Sequence, residues 1–229
     1  GIDLAEFFMP SSEEVESSRR HLAKYIGLNV DTRKVVLFTA RGVREKGFFD
    51  FYEAARRINM LEPNKYIFVH LGLIDTASSG FISHNDISAY ARNCGVSYLG
   101  FVENVRDYII ASDIMVLPSV YREGTPRSLI EALALGKAIV TTDMPGCRET
   151  VIDSWNGLLC NGGDASSLVS KILMIDDAFL HNARLRSRRL CEEKYDSKML
   201  VTTTLSLYVA ALAVNKADSV VGFGKGEIS

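Results

Sequence analysis

Several things are scarce in this chain of 229 residues, and each scarcity removes a class of chemistry. Its four cysteines, Cys94, Cys147, Cys160 and Cys191, include no C-x-x-C pair, and only four histidines accompany them. Neither a zinc site nor a disulfide framework is indicated, and reduced thiols in a cytosolic protein are expected. Charge of one sign is also lacking: 26 Lys and Arg against 28 Asp and Glu leave a net charge of −2. That balance gives no electrostatic footprint for nucleic acid. The longest apolar stretch near the end runs from Leu205 to Val214, well short of the roughly 20 residues a bilayer demands. The opening GIDLAEFFMP has no basic region followed by an apolar run, so no signal peptide is expected and the location read from this is cytoplasmic.

What is present is ordinary for a folded protein, with 47% hydrophobic and 24% charged residues, enough to bury one large α/β core. Val35–Ala40 is a continuous apolar run of the kind found in a strand covered on both faces. Similar short runs at 66–72, 96–101, 114–117, 138–142 and 156–159 alternate with segments of helical periodicity. Alternation of this kind predicts a doubly wound parallel sheet with ligand at the carboxyl ends of the strands. A helix over 11–27 is capped by Ser12, with Val15, Leu22 and Ile26 inward, and Asn104 caps a short helix to Ala111. From Asp164 to Tyr195 helical signals dominate, and Arg184, Arg186, Arg188 and Arg189 read as a solvated face. A last helix is expected over Met199–Val214, and 218–229 looks like a tail.

The most informative stretch is SVYREGTPRSLIEALALGKAIVTTDMPGCRE, Ser119 to Glu149. Within it Thr125 is a good N-cap and Pro126 suits the first helical position. Leu129, Ile130, Leu133 and Ala134 recur at helical spacing, with Gly136 closing the helix. A helix that starts in a glycine-containing loop, Gly124-Thr125-Pro126-Arg127-Ser128, offers unpaired N–H groups to phosphate or sugar oxygens. Arg41-Gly-Val-Arg-Glu-Lys46-Gly47, between a strand and a helix, reads either as an anion cradle or as a solvated turn. Arg44 has no assigned role. His70 reads as a satisfied core histidine more readily than as a base. Phe101 and Val102 stay open between ordinary core and a strand end that binds a base edge.

Two glutamates eight positions apart, Glu123 and Glu131, set between apolar strands and followed by Pro145-Gly-Cys-Arg-Glu149, resemble the Glu-x7-Glu signature of retaining family 4 glycosyltransferases. The resemblance is to the C-terminal, donor-binding half of their GT-B fold and covers residues 1 to 195. It implies that Arg41 and Lys46 contact the donor diphosphate, that Glu123 accepts from hydroxyls of the transferred sugar and that Glu131 accepts from the ribose. The N–H groups of Gly124, Thr125, Pro126, Arg127 and Ser128 as a loop would add to the phosphate grip, although proline itself has none to give, and main chain at Phe101 and Val102 would meet the base. No metal or other cofactor is expected. Ala40, where many relatives have glycine, is a departure that leaves less room for the diphosphate.

The implied reaction is retaining transfer of a hexosyl or N-acetylhexosaminyl group from a nucleoside-diphosphate sugar, with a UDP-sugar favoured, to a glycan or lipid-linked acceptor in surface polysaccharide biosynthesis. By the same resemblance, residues 1–195 form the Rossmann-like donor domain, 196–215 a helix returning to a missing N-terminal, acceptor-binding domain, and 216–229 a flexible tail. The start at Gly1, followed by Ile2-Asp3, is the basis for expecting that missing half, without which the fragment would be inactive alone. The full-length protein is expected at the inner face of the membrane. Alternatives are a non-catalytic nucleotide-sugar binding module and a GT-B epimerase; a phosphorylase has no evident pyridoxal phosphate lysine. A dehydrogenase is disfavoured because the loop at Arg41 is not G-x-G-x-x-G.

Overall fold

A computed structural model describes residues 1–78 and 80–221. Six parallel strands form its sheet: β1 (Lys34–Thr39), β2 (Tyr66–Leu71), β3 (Val96–Gly100), β4 (Ile114–Leu117), β5 (Ala138–Thr142) and β6 (Gly157–Cys160). Their spatial order is β3-β2-β1-β4-β5-β6, so chain direction across the sheet reverses between β1 and β4. Both faces are covered by helices, which is why β2, β4 and β5 are buried along their whole length and read as unbroken apolar runs. The helices are α1 (Ser12–Ile26), α2 (Phe48–Leu61), α3 (His84–Cys94), α4 (Val105–Ala111), α5 (Arg127–Ala134), α6 (Ala165–Leu173), α7 (Asp177–Lys194) and α8 (Ser197–Val221). The doubly wound sheet expected from strand-helix alternation is therefore the fold.

Local capping differs from the sequence reading in ways that can be traced. Ser11, not Ser12, caps α1, because Glu14 then falls three residues on and closes a reciprocal capping box. Pro126 is itself the N-cap of α5, with extended ψ of 127°, and helical residues begin at Arg127. Thr125 is thus one position too early to cap. Asn104 precedes α4 without a side-chain cap bond; it donates instead to the Asp107 carboxylate at 2.7 Å. The segment after Pro145 forms only a single tight turn, Arg148–Thr150.

The arginine row of α7 is not a solvated face. Arg184 donates to the Pro10 carbonyl, Arg186 to that of Trp155, and Arg188 to those of Phe7 and Ala134, while Arg189 alone is confined to an exposed i,i+4 pair with Glu193. Carbonyls left over at the end of α5 and along the N-terminal segment need donors, and the guanidinium fork reaches them. The same segment is closed onto the end of α7: Ile2 donates to the Tyr195 carbonyl at 2.8 Å and Ser197 donates back to Ile2 at 3.0 Å. Beyond this seam α8 continues to Val221, past the expected limit at Val214 and into the segment read as a tail; 222–229 lie outside the described residues. Its Leu205, Leu207, Tyr208, Val209 and Leu212 are exposed. No helix among the described residues is long and apolar enough to cross a membrane.

Under α2 lies an aromatic cluster, with Phe38 stacked on Phe51 at 4.8 Å and Phe48 on Tyr52 at 4.2 Å. His70, fully buried, sits among these rings. Its Nε2 lies 3.0 Å from the Ala40 carbonyl and its Nδ1 2.9 Å from the Tyr52 hydroxyl. A carbonyl only accepts, so Nε2 carries the proton and Nδ1 accepts from Tyr52. This is the satisfied core histidine expected. Burial pushes its pKa down to about 4, below the value of about 6.5 in an unfolded chain. The unfolded chain therefore takes up the proton first as pH falls, and stability present above pH 6.5 is lost between there and pH 4. A drop of about 3 kcal/mol over that window, read by urea unfolding, should be absent from His70→Gln; equal slopes in both proteins would contradict this assignment.

Candidate functional site

At the carboxyl edge of the sheet the chain leaving β1 meets the chain leaving β4. The contact is set by the Glu45 carbonyl, which accepts from the Val120 N–H at 3.0 Å and lies 3.0 Å from Ser119 Oγ. Gly47, at φ +77°, lies so close to the carbonyl of Pro118 that any Cβ there would overlap it. Glycine is therefore required twice over, for its backbone angle and for the approach. The result places Lys46 Nζ 2.5 Å from Glu123 Oε2, joining residues 77 apart in the chain.

Glu123 is held from its other side as well. Ser119, fully buried, lies 2.8 Å from Glu123 Oε1, and its own carbonyl accepts from Thr142 Oγ1 at 2.5 Å. Gly146, at φ +88°, backs the loop so closely that a Cβ would overlap the Glu123 and Gly124 carbonyls. The side chains of Lys46 and Glu123 are only 22% and 11% exposed, which marks a pair far less screened than an ordinary surface bridge.

Arg41 also lines the cleft, half exposed, paired with Asp75 and donating to Ser78 Oγ at 2.9 Å. Together Arg41, Lys46, Glu123 and Gly124, with Tyr121 and Arg122, line a cleft of about 540 Å³. A second, largely apolar slot of about 220 Å³ adjoins it, lined by Ala40, Leu71, Gly72, Phe101 and Val102 and sharing Arg41. Phe101 is 64% exposed at its rim and Val102 half-buried, so Phe101 is not ordinary core. A charged cleft next to an apolar slot suits a ligand with an anionic part and a weakly polar part.

Of the residues singled out from the sequence, Arg41, Lys46, Glu123, Gly124, Phe101 and Val102 are thus brought to these two hollows. Thr125, Pro126, Arg127, Ser128 and Glu131 line neither. Pro126 is buried, Thr125 and Arg127 are exposed, and Glu131 receives the Arg127 Nε at 2.8 Å. The N–H groups of Arg127 and Ser128 have no backbone acceptor among the described residues, as a helix start requires. Residues that sequence reasoning missed are Asp75, Ser78 and Ser119. Ser119 carried a faint signal, standing at the end of a buried strand four positions before Glu123, whereas nothing in the Ser/Gly-rich run around Asp75 marks it as Arg41's partner. Among the described residues no group of three His, Cys, Asp or Glu is placed to hold a metal ion, and all four cysteines are free and buried.

Comparison with known proteins gives three kinds of likeness. The family described as glycosyl transferases group 1 matches residues 23–189. A curated relative is the N,N'-diacetylbacillosaminyl-diphospho-undecaprenol alpha-1,3-N-acetylgalactosaminyltransferase of Campylobacter jejuni, 34% identical over 210 residues, which is 91% of this chain and 52% of that protein. The putative teichuronic acid biosynthesis glycosyltransferase TuaC of Bacillus subtilis is 33% identical over 148 residues, 64% of this chain and 32% of that one. The chain spans about half the length of the first of these and less of the second. Among solved structures, Anabaena Alr3699/HepE in complex with UDP and glucose superposes with a TM-score of 0.75 at 20% identity, over 90% of this chain and 55% of that one.

The contact at Gly47 yields a direct test. Gly47→Ala should lower the unfolding free energy by about 2 to 4 kcal/mol, from left-handed strain plus overlap with Pro118. Chemical denaturation with an unchanged m-value would register it; a loss below 0.5 kcal/mol would mean the two loops are not braced there.

Proposed function

The chain belongs to the glycosyl transferases group 1 family, with the fold of a GT-B C-terminal domain, and from this membership we propose that it binds a nucleoside-diphosphate sugar for retaining transfer to a glycan or lipid-linked acceptor. A UDP-linked hexose or N-acetylhexosamine is the favoured donor and surface polysaccharide assembly the setting; the Campylobacter relative's name, an N-acetylgalactosaminyltransferase, supports the sugar class, and the Bacillus relative's, in teichuronic acid biosynthesis, the setting. The observation that carries the reading is the pairing of hollows: a cleft lined by Arg41 and Lys46 beside an apolar slot.

In this reading the base lies in the slot against Phe101 and Val102 and the diphosphate enters the cleft. A phosphate oxygen takes Lys46 from Glu123, and the pair's exchange releases one carboxylate oxygen of Glu123 while Ser119 holds the other. That freed oxygen faces the sugar and accepts from its hydroxyls. Arg41 and Lys46, joined by the N–H groups at the start of α5, stabilise the negative charge that grows on the diphosphate as its bond to the anomeric carbon breaks. Glu131 reaches the ribose once Arg127, at 75% side-chain exposure, swings off it. The charge neutralisation is supplied by side chains, so no metal is needed. The acceptor is held by an N-terminal domain, residues 1–195 serve as the donor domain and α8 joins the two. The full-length protein works in the cytoplasm at the inner membrane face.

Calorimetric titration with UDP, GDP and their sugar conjugates tests this. UDP should bind with or without EDTA, and Lys46→Ala should weaken it by about 2 kcal/mol, roughly thirtyfold. Glu131→Ala should weaken it too. Tight nicotinamide binding without response to any nucleotide would sink the proposal; nucleotide-sugar binding by a full-length protein that never transfers would favour the non-catalytic module.

A further inference from the structure

Resting on the donor reading above, we infer that Asp75 and Ser78 act as a positioning pair that aims Arg41 at the diphosphate. Both engage one nitrogen of the guanidinium: Nη1 pairs with Asp75 Oδ2 and donates to Ser78 Oγ. Nε and Nη2 have no partner among the described residues. That remaining edge carries two parallel N–H groups, the geometry that meets a phosphate through paired bonds.

Asp75 is fixed in turn. Its Oδ2 also accepts from the Ser78 hydroxyl at 2.6 Å and its Oδ1 from the Ala77 N–H at 3.1 Å. The Ser78 hydroxyl, then the Arg41 guanidinium, hold its carboxyl below the usual range. The loop that bears it is zipped to the loop bearing Arg41: Ile82 donates to the Gly42 carbonyl at 2.8 Å, Gly42 to that of Leu73 at 3.2 Å and Arg44 to that of Gly80 at 3.2 Å. A half-exposed arginine without such a latch would surrender rotamer freedom on meeting its ligand, and the latch takes up that cost beforehand. Ser78 lines the cleft beside Arg41, Lys46 and Glu123, so the latch and the cleft share a wall.

UDP titrated by calorimetry into wild type, Asp75→Ala, Arg41→Ala and the double variant separates aiming from simple bracing. Asp75→Ala should weaken UDP about tenfold, Arg41→Ala at least as much, and the double variant no more than Arg41→Ala alone, since Asp75 acts only through Arg41. Ser78→Ala, the milder change, should give a smaller loss in the same direction. Unchanged or tighter binding by Asp75→Ala, or losses that multiply in the double variant, overturns the inference while leaving the donor reading intact. Absence of UDP binding in wild type removes both.

Discussion

One carbonyl oxygen, that of Glu45, ties the site together. It accepts from the N–H of Val120 and sits beside the Ser119 hydroxyl, so the chain leaving β1 and the chain leaving β4 cannot separate without stranding a polar group. Adjacent parallel strands with helices on opposite faces leave a crevice where their directions diverge. Here that crevice is narrowed by hydrogen bonds and by a glycine packed on the Pro118 carbonyl, and the narrowing brings an ammonium group and a carboxylate into contact. Without the bracing, Lys46 and Glu123 would be two charges on neighbouring loops with no fixed relation.

Much of the fold is legible in the sequence, and the reason is physical. Strands buried on both faces leave unbroken apolar runs, and helices packed on them leave a 3.6-residue rhythm, so the six strands are legible from order alone. Arg41, Lys46 and Glu123 were singled out by the family resemblance, since the residues around Arg41 and Lys46 fit an anion cradle and a solvated turn alike. What stayed hidden depends on distance across space. Arg188 looks solvated in a list of charges, because nothing local reveals the Phe7 and Ala134 carbonyls waiting for it. Asp75 lies 34 residues from Arg41 in a stretch whose composition is that of any surface loop. Caps slipped by one residue, at Ser11, where Glu14 three positions on closes a local capping box, and at Pro126, which is itself the N-cap in extended conformation.

The cleft's charges are arranged in couples. Arg41 is matched to Asp75 and Lys46 to Glu123, each across loops from different strands. Such matching limits the self-repulsion that two bare cations would impose on a compact site, and it lets each cation be presented in a defined direction. The histidine beneath contributes to the same end: by donating to the Ala40 carbonyl it fixes the last residue before Arg41, linking the aromatic cluster under α2 to the cleft.

The seam between Ile2 and residues 195–197 has a topological consequence. Because the polypeptide enters and leaves the α/β body through neighbouring hydrogen bonds, the body is a nearly closed loop. A short peptide joining these points would bridge almost no distance, and fresh ends could be opened at the exposed turn between α2 and β2, around Pro63 and Asn64. A circular permutant of that design would keep every strand neighbour, and both crevice loops would remain uncut.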